Sequence, residues 1–401
     1  MELSNYLNAM RDASGVPFYP VVFQFFLVLT FALHIMFVNF LLGGVVVSIW
    51  ARIKATPNML RLSKALARAA TINASLAMVL GVAPLLFVQV IYDPFWYTAN
   101  SMSAYWAMAF LLILATAFTA SYVFYLSGSE KAPGALGWAV FALLALLAAG
   151  GVIHALSVEQ LLPQMWKSWL ISGNEVNAFG KSLYAFEWHR FLHFMAPSLI
   201  MAGVYLMLYA WFFQGRKDYN KGYLEETAQM GADLALYATG AQIVIGLWWL
   251  FSVPMEFAFY KNPFFLVGAG IGAAFFLFLL TARANPIKNA PITALIAFLT
   301  IFFMSYAREA LRMVYTGKAG YSIFDYKLSL DWGSTVLFLG TFVMGLIIMA
   351  YPILVAVQVA KNGKESNNEG LARLATALPV VWFLVVAGLG IVISLKNGTL
   401  F

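Results

Sequence analysis

A chain of 401 residues that is 62% hydrophobic, only 10% charged and +0.81 in mean hydropathy carries too little charge to cover a soluble surface. It reads as a polytopic membrane protein. Its formal net charge of +7 sits in short loops with no basic tract interleaved with aromatics, which suits anionic lipid headgroups and excludes nucleic acid as a partner.

The opening MELSNYLNAMRDASGVPFYP is polar and lacks the basic region that precedes the apolar core of a cleavable signal. Ten apolar runs follow, each near or above the roughly 20 residues that cross a bilayer as a helix. They lie near 21–50, 68–92, 103–127, 135–157, 189–213, 233–252, 264–281, 290–307, 332–357 and 374–395. The expected fold is all-α, a transmembrane helical bundle forming a single integral membrane domain over 1–401. Alternating spans place ARIKATPNMLRLSK, SGSEKAPG, QGRKDYNKGYLEE, ARANPIKN and AKNGKESNNEGLAR on one side. These loops, with Arg68 at the start of the second run, hold 14 of the 24 Lys and Arg, so that side is expected to be cytoplasmic and both termini to face outward. The outward connections 158–188, 253–263 and 308–331 are longer and rich in Trp, Tyr and Phe, the natural surface for a docking partner.

The chain has four histidines and no cysteine. The missing cysteines exclude disulfides, thiolate metal sites, iron–sulfur ligation and covalent attachment of haem. His34 lies within the first run, in FALHIMFVNFLLGG. His154 is near the outer end of the fourth, and His189 and His193 open the fifth in FEWHRFLHF. Imidazole in hydrocarbon is costly and tends to be functional, and neutral imidazole is the usual protein ligand of b-type haem iron. The plainer alternative is a helix-bridging hydrogen bond. Four residues along a helix separate His189 from His193 by about 6 Å on one face, so the two cannot grip one iron from opposite sides. Arg190 beside them suits a haem propionate or, equally, a snorkelling interfacial cation. Asp233, Glu187, Glu256 and Glu309 all fall at span ends. No acid deep in a span argues against a proton pump or an oxygen reductase. Met195, Met201 and Met207 read as packing or lipid-facing residues.

LHIMFVNFLLGGVVVSIW resembles the first helix of cytochrome bd oxidase subunit I, and RFLHFMAPSLIMAGVYLMLYAWFFQGRKDY resembles its fifth. The resemblance covers the helices at about 21–213; those at about 233–395 follow it by hydropathy alone. It implies two four-helix groups in a prokaryotic inner membrane, with His34 and His193 as haem ligands. The departures are specific. SAYWAMAFLLILATAF carries no acid, GRQPW is replaced by YAREALR, FFLVGAG lacks a methionine, and the quinol loop shrinks to FSVPMEFAFYKNP. The expectation is therefore a divergent electron-transfer subunit without oxygen reduction. It would hold one or two b haems, His193 paired with a histidine from another helix and His34 with His154. Electrons would pass between the quinone pool and an outward-facing, multihaem c-type cytochrome. Glu187, Trp188 or Glu159 near the haem, or Arg308 and Glu309, are the candidate quinone contacts, each more readily explained as a surface or interface residue. The alternative is a haem-free quinol-binding anchor resembling the NrfD-like membrane subunits. A transporter ranks third, since no matched pair of broken helices appears.

Overall fold

The computed structural model describes residues 3–127, 135–172, 175–362 and 369–396, so Lys131 and Lys364 of two basic loops lie outside the described residues. All ten expected spans are helices long and apolar enough to cross a membrane. In chain order the helices are α1 (Leu3–Ala9), α2 (Pro20–Lys54), α3 (Pro57–Ile91), α4 (Asp93–Met102), α5 (Ala104–Leu126) and α6 (Ala135–Glu159). Then come α7 (Trp166–Leu170), α8 (Trp188–Met195), α9 (Pro197–Phe213), α10 (Lys221–Ser252), α11 (Pro263–Ala282), α12 (Pro286–Lys318), α13 (Trp332–Asn362) and α14 (Glu369–Lys396). A two-residue hairpin, Ile171–Ser172 with Glu175–Val176, is the one sheet among the described residues.

Three helices run well past their apolar cores. α3 starts eleven residues before the expected 68, because Thr56 caps it through Met59 N and Pro57 occupies its first turn. α10 begins at Lys221 under an Asn220 cap instead of at 233. α12 continues to Lys318 and carries Arg308, Glu309 and Arg312 inside a helix rather than beyond it. Hydropathy sees only the lipid-facing core of such helices, whereas Arg, Lys and Glu are good helix formers.

The described chain divides into two compact units. The first, which spans most of 1–326, contains two four-helix groups. In one, α2, α3, α5 and α6 are neighbours in a closed ring. Lipid supplies no hydrophobic drive between helices, so association depends on close packing of small residues. Ala135, Ala139, Ala142, Ala145 and Ala149 recur at helical spacing on α6 and are buried. The other group packs α9, α10, α11 and α12 around Met201, Val204, Ala235, Phe275, Leu279 and Ala297. Here glycine is obligatory twice. A Cβ on Gly203 would sit 2.5 Å from Gly231 O, and one on Gly231 would sit 2.6 Å from Gly203 O, so α9 and α10 touch backbone to backbone.

Outside the spans, the segment before α2 is tied down by a polar cluster. Tyr326 donates to Asp93 Oδ1, Asp12 N donates to Asp93 Oδ2 at 2.7 Å, and the Tyr321 and Tyr326 hydroxyls pair at 2.7 Å. The Arg11 guanidinium lies 4.0 Å and 4.5 Å from the Tyr321 and Tyr326 ring centroids. The second unit comprises Ser14–Tyr19, Phe212–Tyr219 and the helices α13 and α14. Trp382 Nε1 donates to Thr341 Oγ1 at 2.9 Å, and the indole covers Gly340 so closely that a Cβ there would meet Cη2 at 2.7 Å. No residue in the apolar windows of α13 and α14 is buried, as befits helices surrounded by lipid.

Candidate functional site: the His193 cavity

Pro197 lacks an N–H and interrupts the fifth span, which is therefore built as α8 followed by α9. The break leaves α8 as a single short amphipathic helix whose inner face carries Arg190 and His193. Both line a cavity of about 280 Å³ with residues from α2, α9, α10, α11 and α12. The lining is mostly apolar and includes Phe31, Phe194, Trp249 and Phe265, with Arg308 from α12 as its second cation. His193 is stacked on Trp249, centroids 5.1 Å apart and planes 11° from parallel. A Cβ on Gly246 would come within 3.2 Å of His193 Cε1, so this glycine makes room for the ring.

The charges around the cavity do not balance. Arg190 is 5% exposed and stands 3.8 Å from Glu187 Oε2, and Arg312 Nη1 stands 3.2 Å from Glu309 Oε2. Arg308 has no hydrogen bond or ion pair among the described residues; its guanidinium lies 4.1 Å from the Phe31 ring centroid. Three guanidiniums thus face two carboxylates, leaving one net positive charge near the cavity. Among the described residues, two buried acceptors beside it also find no hydrogen-bond donor, Asn39 Oδ1 and Gln242 Oε1. Buried polar atoms of this kind are ordinarily satisfied, by protein, water or ligand.

The other sequence candidates are placed elsewhere. His34 Nδ1 donates to Ala77 O at 2.8 Å, which leaves Nε2 with a free lone pair. Its ring lies against Gly81, where a Cβ would meet Cε1 at 2.8 Å. His154 Nε2 donates to Glu187 O at 3.0 Å, and its ring sits among Phe186, Phe191 and Phe194. His189 Nε2 is 3.8 Å from Glu187 Oε2. His193 is the one histidine in the cavity lining, so the expected second histidine is not beside it there. Among the described residues, no three His, Asp or Glu side chains converge on a common point.

Two of the candidate acids lie inside the fold. Glu159 is fully buried and accepts from Ser103 Oγ at 2.8 Å and Tyr184 N at 2.7 Å, fastening the loop after α7 to the start of α5. Glu309 is 2% exposed and accepts from Tyr92 at 2.6 Å and Gln24 at 3.3 Å. Arg190 is equally enclosed, not snorkelling. Trp188, by contrast, is 65% exposed, packs on Phe186 with ring centroids 4.6 Å apart, and does not line the His193 cavity. Sequence reasoning also missed Met304, Asn39 and Gln242. The methionine that the 264–270 stretch of α11 lacks is brought to the cavity by α12 as Met304, and Met201 of α9 lines it too.

Compared with known proteins, the chain matches no family model and no curated protein.

Proposed function

We propose that this chain is the membrane subunit of a quinol-linked oxidoreductase, a b-type cytochrome relaying electrons between the quinone pool and an outward-facing c-type cytochrome, with the His193 cavity as its redox pocket. One observation carries this reading: a single largely apolar cavity collects His193, Arg190 and an ion-pair-free Arg308 from two separate helices. A haem is a flat apolar ring edged by two carboxylates, and paired guanidiniums with excess positive charge suit that edge. Bound there, the group supplies one-electron transfer.

The residues of the chain do the rest. Arg190 and Arg308 would hold the carboxylates, while Phe31, Phe194 and Trp249 exclude water from the ring. His34, with its proton on Nδ1 and bonded to a backbone carbonyl, has the tautomer that an imidazole ligand requires, and is the candidate for a second haem. His154 is assigned to holding the Glu187 carbonyl at the start of α8. The outward aromatic connections remain the proposed docking face for the partner cytochrome.

A second reading is favoured by the polar atoms themselves. His193 Nδ1 accepts from Gln242, so its N–H faces away from that amide, as a donor to a carbonyl would, and Asn39 Oδ1 offers an acceptor nearby. In that reading the cavity takes the quinone itself and the chain is a haem-free anchor. A reduced-minus-oxidised spectrum of the detergent-purified chain, with pyridine haemochrome quantitation, separates the two. A low-spin b signal at one or two haems per chain is expected. A haem-free chain that still binds a quinone analogue would overturn the cytochrome reading in favour of the anchor.

A further inference from the structure

Pro197 has a consequence at atomic scale. Lacking an N–H, it leaves the carbonyl four residues back, that of His193, without an intrahelical donor. Gln242 of α10 supplies one: its Nε2 lies 2.9 Å from His193 O. A carbonyl only accepts, so this bond fixes which end of the amide faces α8. The same Nε2 lies 2.9 Å from His193 Nδ1. Nδ1 therefore accepts, and the ring proton resides on Nε2. The ring is held between the Trp249 stack and the bare face of Gly246. Gln242 Oε1, meanwhile, is buried with no donor among the described residues. Turning the amide over would set Oε1 against His193 O, two acceptors face to face, so the carbonyl that Pro197 leaves open holds the amide in the observed arrangement.

We infer that Gln242 is the positioning residue that sets whether His193 meets the cavity with a proton or with a lone pair. In the arrangement observed, His193 is a donor suited to a carbonyl-bearing quinone. To serve a b haem as an iron ligand, His193 would have to carry its proton on Nδ1 instead, the form that Gln242 as placed disfavours. The exchange conserves protons, one leaving Nε2 as one is taken up on Nδ1. The identity of the occupants rests on the redox-pocket reading; the tautomer belongs to the chain alone.

The chain contains four histidines, so the full-length protein labelled with carbon-13 and nitrogen-15 histidine gives few ring signals, and His193→Gln assigns the one that matters. In protein produced without haem, wild type is expected to show a single Nε2–H form. Gln242→Met, which keeps length and loses both amide ends, is expected to give a mixture, and Gln242→Glu the Nδ1–H form. In haem-loaded protein Gln242→Glu lowers the midpoint potential, because a carboxylate behind Nδ1–H makes the ligand more basic. A wild-type haem-free chain already in the Nδ1–H form, or a Gln242→Met signal identical to wild type, overturns the assignment. If wild type takes up no haem while the tautomer still follows residue 242, the cytochrome reading falls and the role of Gln242 stands.

Discussion

At Gly246 a methyl group would press on the imidazole of His193 at 3.2 Å from Cε1 and 3.4 Å from Nδ1, tighter than most side chains tolerate. Gly246→Val should therefore push the ring off Trp249 and abolish the cofactor signal while circular dichroism shows an intact helical fold. A variant that retains full haem or quinone-analogue binding would remove His193 from the site. Glu159 makes a different demand. Its carboxylate holds Ser103 and Tyr184 from outside the cavity; removing it leaves Tyr184 N without its acceptor, whereas Ser103 Oγ keeps Ser182 O at 2.8 Å. Glu159→Ala should cost about 1–3 kcal/mol, seen as a lower thermal midpoint in detergent with an unaltered cofactor spectrum. A spectral change at unchanged stability would instead make Glu159 part of the redox site.

The polar cluster over Asp93 shows how an element's stability can depend on pH. Burial raises Asp93 above the usual carboxylate range and Tyr321 and Tyr326 above the usual phenol range. A group with a raised folded pKa binds its proton more tightly folded than unfolded. Its contribution is full below the unfolded pKa and is lost as pH climbs toward the folded one. For the two tyrosines that loss begins above about pH 10. Raising the pH past that point should free the α1 segment, read as faster proteolysis before α2 together with tyrosinate absorbance; Tyr326→Phe should blunt the response. Elements were the most legible part of the sequence. Ten apolar runs became ten helical spans, the fifth broken at Pro197, since spanning length and hydropathy are set by the bilayer alone. What hydropathy missed were the charged ends of α3, α10 and α12, and with them the burial of Glu309 and Arg312. Within the site, His193 and Arg190 were readable as polar residues on an apolar helix. Gln242 was not: the spacing from His193 to Pro197 signals a carbonyl in need of a donor, but nothing local says that α10 provides it.

For the molecule as a whole, every residue lining the cavity falls between Phe31 and Leu311, inside the first unit. The site is therefore independent of α13 and α14, and a chain ending after Asp331 should keep the cofactor spectrum of the full protein; its loss on truncation would assign those helices a part in the pocket. The order in which the walls are made matters too. α2, α8, α9 and α10 are synthesised first, and Met304, Arg308 and Leu311 of α12 come last. At about 5–20 residues per second, the pocket spends several seconds of synthesis as an open trough. Once α12 seats, its Met304, Arg308 and Leu311 wall off that side, and an occupant broad enough to reach from Phe31 to Met304 meets a narrower way in than the trough gave. Haem present while the chain is being translated into liposomes should accordingly load faster than haem added to the finished protein, making occupancy a matter of timely supply during biogenesis.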